Sequence, residues 1–190
     1  AGADIWNTAD DFRFVYKRLS GDGSITARID SCSQANVWTK ADIMIRENLS
    51  ADSTNSYSFV TPTGRVGTQW REETFGATVS TRSETEGEIA LPYWVRLTRT
   101  GSLFTGAQSA DGVNWQPMFQ SGSPDLPTER EIITIPDLHV GLAVTSHQAG
   151  ASAVAVFSEV TITGNVTGAW TSDAVGADNH PDNDAAPIYL

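Results

Sequence analysis

Cysteine is almost absent from this chain, since Cys32 is the single thiol among its 190 residues. One cysteine cannot form an internal disulfide, so a disulfide framework is excluded and the redox compartment stays undecided. Cys32 lies in a strand-like segment, where a small buried thiol is the usual outcome. No base or second thiol stands near it in the sequence, so we expect it to be buried and inert rather than reactive.

Long apolar runs and positive charge are also scarce. Hydrophobic residues make up 39% of the chain, and no apolar stretch approaches the roughly 20 residues of a membrane-spanning helix, so membrane insertion is not expected. Only 12 Lys and Arg residues stand against 23 Asp and Glu, which gives a formal net charge of −11. Proteins that bind a phosphate backbone need a positive surface, so nucleic acid is a poor candidate partner.

The composition also bears on location. The charged fraction is low, at 18%, while Ser, Thr, Gly and Asn are abundant. This balance favours a secreted or cell-surface protein. The sequence opens at Ala1 without a charged and apolar leader, so we expect that any export signal was removed or lies further upstream.

The sequence also lacks helical periodicity, since no segment with a helical pattern is longer than two turns. Twelve short alternating or apolar segments are instead separated by Gly, Asn, Asp, Ser and Pro, as in a sandwich or barrel. Phe12–Lys17 and Ser24–Asp30, joined by the turn Ser20–Gly23, illustrate the pattern. The length suits one domain with one core. The sequence therefore predicts an all-β protein, a two-sheet antiparallel jelly-roll sandwich.

Two segments interrupt this rhythm. Gly122–Asp137 is rich in proline and acidic residues, which indicates a long loop before the strand that begins at His139. From Gly164 to Leu190 no alternation is detectable, and Pro, Asp and Asn dominate. We therefore expect a jelly-roll domain over residues 1–164 and, over residues 165–190, an irregular acidic tail or a linker to a following domain.

The segment Pro92–Trp115 contains a strand with two unlike faces. Val95 and Leu97 fall on one face, while Trp94 and Arg96 fall on the other. The strand therefore has a core side and an aromatic, cationic side. The aromatic, cationic side, with Trp94 and Arg96, is the first candidate binding site in the sequence.

Several groups of residues carry a family resemblance, and together they cover roughly residues 4 to 164. They are Asp4–Trp6 with Phe14–Tyr16 and Leu19–Gly23, then Trp38–Arg46, then Tyr93–Leu97 with Ser109–Gly112 and Trp115, and finally Val140–His147 with Phe157–Val160. These runs resemble the concanavalin A-like jelly rolls of secreted bacterial proteins, of the laminin-G-like and β-xylosidase carboxyl-terminal types. The resemblance implies a module covalently linked to flanking domains of a larger exported protein, often one that handles polysaccharide. It indicates the fold better than the ligand, because this fold hosts lectins, glycan-binding modules, glucanases and spacers.

A sugar ring offers a flat apolar face of C–H groups and a rim of hydroxyls, so its receptors combine an aromatic platform with planar polar side chains. Alternation over residues 40–46 places Arg46 outward, and a later strand places Gln69 and Arg71 on one side and Trp70 on the other. The pattern leaves open which of these two sides faces outward, so Trp70 is a reserve aromatic platform for a sugar ring. We predict that a polysaccharide or glycan binds one open sheet face formed by Arg46, Gln69, Arg71, Trp94 and Arg96.

A structural alternative stays open for this face. The arginines can instead pair with Asp42, Glu72 or Glu73 and simply satisfy a solvated sheet. The domain is then a structural or adhesive spacer without a sugar site, which the acidic tail equally permits.

A third alternative is a glycoside-cleaving enzyme. A retaining glucanase needs two carboxylates about 5 Å apart in a cleft. Glu84, Glu86 and Glu88 alternate, but they lie in a segment of Ser, Thr and Gly that favours a loop or an exposed edge. We therefore favour a non-catalytic carbohydrate-binding module.

Three other tryptophans, Trp6, Trp38 and Trp115, lie beside turns, where large aromatic side chains most often close the ends of a sandwich. Ser109–Trp115 resembles the Asp-box hairpin, in which Ser, Asp, Gly and Trp stabilise a turn, although its spacing is one residue short. We predict a structural hairpin there.

Calcium is the metal to consider, because jelly rolls of this kind frequently hold it, and calcium prefers six to eight oxygen ligands. We predict Asp178, Asp182 and Asp184 of the acidic tail as its ligands. Asp10 and Asp11 are a second candidate cluster. The alternative for the tail is a solvated acidic linker.

Overall fold

Alternation of polar and apolar residues produces strands throughout the described part of the chain. The structure is a computed structural model, and it describes residues 2–82, 87–118, 129–132 and 134–176. Twelve strands occur in these ranges: β1 (Asp4–Trp6), β2 (Ala9–Cys32), β3 (Lys40–Arg46), β4 (Asn55–Val60), β5 (Val66–Arg71), β6 (Val79–Arg82), β7 (Tyr93–Thr100), β8 (Leu103–Ser109), β9 (Gln116–Pro117), β10 (Glu129–Glu131), β11 (Asp137–Thr145) and β12 (Ala155–Val175). Within the same ranges, no helix has the length and apolar character needed to cross a membrane.

The longest strand, β2, belongs to both layers of the molecule. Its first half pairs antiparallel with β11 and its second half with β7, while β12 follows β2 along both halves. The change of partner occurs at Gly21–Gly23, where Gly21 has a φ of 75°, in the region that favours glycine. Gly164 approaches this bend so closely that an added Cβ would lie 2.3 Å from the carbonyl oxygen of Asp22. The two strands predicted here are therefore one continuous strand.

The two layers face each other across one hydrophobic core. The first layer has the order β12-β2-β11-β3-β4-β5-β6, and the second has the order β12-β2-β7-β8, with β9 and β10 both paired to β8. Ile25, Ile43 and Val95 lie fully buried between them. The layers come close at Gly106, where an added Cβ would lie 1.8 Å from Thr68 Oγ1. The structure confirms the predicted all-β, two-sheet jelly-roll sandwich.

The carboxyl-terminal boundary of the domain differs from the prediction. β12 runs through Val175, and Thr171–Val175 pairs with Phe12–Tyr16 of β2. The boundary predicted at residue 164 is therefore wrong, because the first layer includes the chain as far as Val175. The pattern was missed because the register of β12 shifts four times and its small polar residues leave no apolar period. Residues 177–190 lie outside the described part of the chain.

A second buried cluster lies on the outer face of the first layer. It consists of Ile5, Phe12, Phe14, Tyr16, Met44, Tyr57, Phe59, Ala143 and Val175. β1 pairs with the start of β2 and places Ile5 over this face. The Tyr57 hydroxyl donates a hydrogen bond of 2.5 Å to the Ile5 carbonyl oxygen, which ties β1 to the middle of the layer. Side chains that alternation directs away from the main core are therefore buried here under a cover.

Charged side chains share this covered face. The Asp10 carboxylate accepts hydrogen bonds from Arg71 Nη2 at 2.6 Å, from Arg71 Nη1 at 2.9 Å and from Arg46 Nη1 at 3.3 Å. Asn55 Nδ2 adds a further bond of 3.1 Å. Arg46 and Arg71 are 1% and 0% exposed, and burial lowers the pKa of Arg46 to about 10 although Asp10 opposes this effect. Two buried guanidiniums therefore depend on one carboxylate.

Replacing Asp10 with Asn should lower the free energy of unfolding by about 3–5 kcal/mol, because two buried guanidiniums lose their countercharge. Asp30→Asn is the matched control. Asp30 pairs with Arg28 at 3.0 Å, but these side chains are 28% and 38% exposed, so we expect a loss of about 1 kcal/mol or less. Urea denaturation measures both values. Equal losses in the two variants would contradict the central role of Asp10.

Asp42 also lies on the covered face, fully buried, and neither of its carboxylate oxygens has a hydrogen-bond partner among the described residues. Burial raises the pKa of Asp42 well above its ordinary value and outweighs the opposing charge of Lys40. The folded protein therefore keeps a proton here that the unfolded chain releases near pH 4.

Asp42→Asn should remove this component of the pH dependence. Because the folded-state pKa is raised, the wild-type carboxyl contributes its full stability below about pH 4, and that contribution is lost as the pH rises. We expect the variant to gain stability relative to wild type between pH 4 and 7, by at most about 1.4 kcal/mol per pH unit. Urea denaturation over a series of pH values measures the difference. A difference that is constant with pH would refute this account of Asp42.

Candidate functional site

The residues predicted to form one binding surface lie on two separate faces. Arg46, Gln69 and Arg71 are buried on the outer face of the first layer. The two arginines contact Asp10 and donate to carbonyl oxygens of the loop between β3 and β4. Trp94 and Arg96 are half-buried on β7, at the outer face of the second layer. The prediction of a single shared surface is therefore wrong.

Alternation correctly predicted which side of its own strand each of these residues occupies, but it does not show which sides belong to one surface or what covers them. Arg46 and Arg71 follow the structural alternative in that they form ion pairs within the chain, with Asp10 as the partner. Trp70 is buried on the core side of β5, and its Nε1 donates to Glu72 Oε1 at 3.1 Å. It is therefore not a reserve platform for a ligand.

The outer face of the second layer carries hydroxyl groups in rows across four strands. One row consists of Thr163, Ser24, Thr98 and Thr105, in register from β12 to β8. The next row consists of Thr161, Thr26, Arg96 and Ala107. The alternate residues of these strands, such as Ile25 and Leu97, are buried in the core. The face is therefore polar and partly exposed across these rows.

A shallow groove of about 480 Å³ opens on this face. Trp94, Arg96, Trp115 and Glu159 line it together with hydroxyl residues of both rows. The guanidinium carbon of Arg96 lies 3.8 Å from the ring centroid of Trp115, and its Nε donates to Thr26 Oγ1 at 3.1 Å. These contacts hold a planar, multi-donor side chain in a fixed orientation at the groove.

The hairpin Ser109–Trp115 positions both tryptophans. The Asp111 carboxylate accepts hydrogen bonds of 2.8 Å from the backbone N–H groups of residues 113 and 114. These bonds, that of residue 114 first, hold the pKa of Asp111 well below its ordinary range. Trp115 Nε1 donates to the Gly112 carbonyl oxygen at 3.1 Å, and Gly112 packs against the Trp94 ring. The predicted structural hairpin is confirmed, whereas Trp115 lines the groove instead of closing the end of the sandwich.

Acidic residues bear on the enzyme alternative. Glu159 is the acidic residue in the lining of the groove, whereas glycoside hydrolysis requires a pair of carboxylates. Of the alternating glutamates, Glu88 is exposed, and Glu84 and Glu86 lie outside the described residues.

The calcium ligands predicted in the tail, Asp178, Asp182 and Asp184, also lie outside the described residues and stay a prediction. Within the ranges that the structure describes, no group of three or more His, Cys, Asp or Glu residues is placed to hold a metal ion. In the second candidate cluster, both oxygens of Asp10 accept hydrogen bonds from guanidinium groups.

Gly112→Ala should disturb the groove more than Gly101→Ala, its matched control. Both glycines have a positive φ, of 73° and 63°, so each substitution carries similar backbone strain of about 1 kcal/mol. A Cβ at Gly112 would also lie 2.7 Å from Trp94 Cε2, whereas nothing lies within 4 Å of one at Gly101. We expect a changed near-ultraviolet circular dichroism signal from tryptophan in Gly112→Ala alone. Identical spectra in the two variants would show that Gly112 does not position Trp94.

A scan against models of protein families gave no match, and a search of curated proteins gave none. Among solved structures, the chain is similar to a functionally unknown protein from Saccharomyces cerevisiae, with a TM-score of 0.59 and 18% sequence identity, over 78% of this chain and 72% of that one. This likeness concerns the fold alone.

Two further solved structures are more distant. One is a GH43 protein from Bacillus licheniformis, with a TM-score of 0.49 and 13% identity, over 84% of this chain and 33% of that one. The other is a heptameric SAP-like pentraxin from Limulus polyphemus, with a TM-score of 0.39 and 11% identity, over 80% of this chain and 68% of that one. The chain has a two-sheet antiparallel β-sandwich fold, and the comparisons do not assign it to a family.

Proposed function

We propose that this domain binds carbohydrate without cleaving it, and that the groove on the outer face of the second layer takes a neutral polysaccharide chain. The observation that carries the proposal is the pair Trp94 and Trp115 beside rows of hydroxyls. Arg96 is stacked on Trp115 and hydrogen-bonded to Thr26.

The chemistry of the groove matches that of a sugar chain. Indole rings provide apolar surface for the C–H face of a pyranose ring, and an electron-rich face that its polarised C–H groups favour. Threonine and serine hydroxyls both donate and accept, so they suit sugar hydroxyls in several orientations. The guanidinium of Arg96 adds planar donors that need little reorganisation on binding.

Charge favours a neutral ligand over an anionic one. Arg96 and Glu159 are the charged residues in the lining of the groove, and their formal charges cancel. The chain as a whole carries a formal charge of −11, so an anionic polysaccharide would approach against long-range repulsion.

The shape of the groove favours a binding role in which many weak contacts add up. An open, shallow site buries little of each sugar ring, so affinity per site is low and rises when several sites engage one polymer. Such a domain serves to hold an attached protein at its substrate. We accordingly propose that it acts outside the cell, next to flanking domains of a larger protein.

Binding to soluble xylan, mixed-linkage β-glucan, arabinan and mannan tests the proposal by affinity electrophoresis. We expect at least one neutral polysaccharide to retard the wild-type protein, and Trp94→Ala or Trp115→Ala to weaken that binding about tenfold, or about 1.4 kcal/mol. Trp170→Ala is the matched control, because Trp170 is half-buried on β12, beneath Lys17 Nζ at 5.7 Å, and does not line the groove.

Two outcomes would overturn the proposal. Absence of retardation by every polysaccharide would favour a structural or adhesive spacer. Release of reducing sugar from any of them would indicate a glycoside-cleaving enzyme instead.

A further inference from the structure

A separate pocket of about 210 Å³ lies where the cover over the first layer ends. Its lining comes from distant parts of the sequence: Asp4 and Trp6 of β1, Trp38, Lys40 of β3, Gln69 of β5 and His147 after β11. None of these residues lines the groove on the second layer. Gln69 belongs to the predicted sugar-binding set, whereas no sequence pattern groups it with the other residues of this pocket.

Two indoles form walls of this pocket. The guanidinium carbon of Arg65 lies 4.3 Å from the ring centroid of Trp38, and the Trp38 backbone N–H donates to Asn36 Oδ1 at 2.9 Å. Lys40 Nζ lies 6.0 Å from the ring centroid of Trp6. Trp6 and Trp38 are half-buried, so they line an opening rather than close the end of the sandwich as predicted.

Buried polar groups form the base of the pocket. The Lys40 side chain is 3% exposed, and its Nζ donates to Asp4 Oδ1 at 2.7 Å and to the Ile5 carbonyl oxygen at 2.9 Å. Gln69 is 2% exposed, its Nε2 donates to Ser80 Oγ at 3.1 Å, and its Oε1 lies against the Tyr57 hydroxyl oxygen. These side chains are fixed before any ligand arrives, as in a preorganised binding site.

His147 reaches the pocket from a strained backbone position. Its φ is 56°, which is rare for a residue other than glycine and marks a conformation that the surrounding structure imposes. Ser146 Oγ lies 2.8 Å from the carbonyl oxygens of both Gly2 and Gln148, so its single hydroxyl proton bonds to one or the other and holds the turn in place. His147 Nδ1 lies 3.0 Å from Asp4 Oδ2. The strain thus serves to bring an imidazole to the rim beside a carboxylate.

Asp4 is the acceptor at the centre of this arrangement. Burial raises its pKa, but the hydrogen bond with His147 and the charge of Lys40 outweigh burial, so the pKa is below its ordinary value. Asp4 is therefore ionised at neutral pH. The pocket combines an anionic acceptor, a nearby cation that balances it and two apolar ring walls.

We propose that this pocket is a second binding site, which takes a single neutral sugar ring through its C–H face and adjacent hydroxyls. Its volume lies below the roughly 300–1,000 Å³ of sites for drug-sized ligands, so it suits one ring rather than a chain. The formal charges of Lys40 and Asp4 cancel, which disfavours both an anion and a cation as ligand. The proposal does not rest on the groove of the second layer, because the two sites share no lining residue.

Titration of the full chain with methyl β-D-xylopyranoside and methyl β-D-glucopyranoside tests this site, followed by saturation-transfer NMR and by tryptophan fluorescence. Glucuronate and choline serve as the anionic and cationic probes. We expect a neutral glycoside to bind at millimolar concentration. Trp38→Ala and the more conservative Trp38→Phe should weaken that binding at least tenfold and threefold respectively. Trp170→Ala is the control that leaves it unchanged, because Trp170 lines neither site.

Several results would overturn the second site. These are no binding of either glycoside by wild type, preferential binding of glucuronate or choline, or loss of glycoside binding in Trp94→Ala with retention in both Trp38 variants. Polysaccharide retardation of the same Trp38 variants separates the two sites. If retardation of the Trp38 variants is unchanged, the groove alone binds polymers. Loss of binding at one site then does not argue against the other site.

Discussion

The pairing of Asp10 with Arg46 and Arg71 determines which faces of this sandwich a ligand can reach. Asp10 lies near the start of β2, just after the turn from β1, whereas the arginines lie on β3 and β5. Their contact ties the amino-terminal segment across the first layer. Because stranding a buried charge is costly, the cover cannot lift without disrupting all of these groups. The outer face of the first layer is therefore a second core, and ligands are left with its margin and the second layer.

Much of the fold follows from period-two alternation. Val95 and Leu97 enter the core while Trp94 and Arg96 point out, as alternation along a half-buried strand requires. The same reasoning assigned Arg46 correctly to the side opposite Ile43 and Ile45. The all-β class and the hairpin at Ser109–Trp115 were likewise accessible from the sequence, because glycine, aspartate and tryptophan in a short segment have few other stable arrangements.

Alternation could not predict that β1 and the start of β2 cover the outer face of the first layer. β1 has three residues, and Ile5 is its one fully buried side chain, so β1 shows no periodic pattern. The sequence therefore does not indicate that β1 lies over the outer face of the first layer. The Asp10 contacts join positions 36 and 61 residues apart, which local patterns do not reveal. The pocket at Asp4 and His147 is equally non-local. Its one sequence trace is a pair of tryptophans beside turns, and such tryptophans more often close the end of a sandwich.

β2 and β12 run without interruption through both layers and pair with each other along both. The two sheets are therefore joined, because the same pair of hydrogen-bonded strands, β2 and β12, belongs to both. Force applied along the second layer would therefore pass through the backbone of β2 and β12 into the layer that Asp10 secures. Shearing a long antiparallel ladder breaks many hydrogen bonds together, whereas peeling a free edge breaks them one at a time. The pairing of β2 with β12 thus makes the two layers resist being pulled apart along the strands.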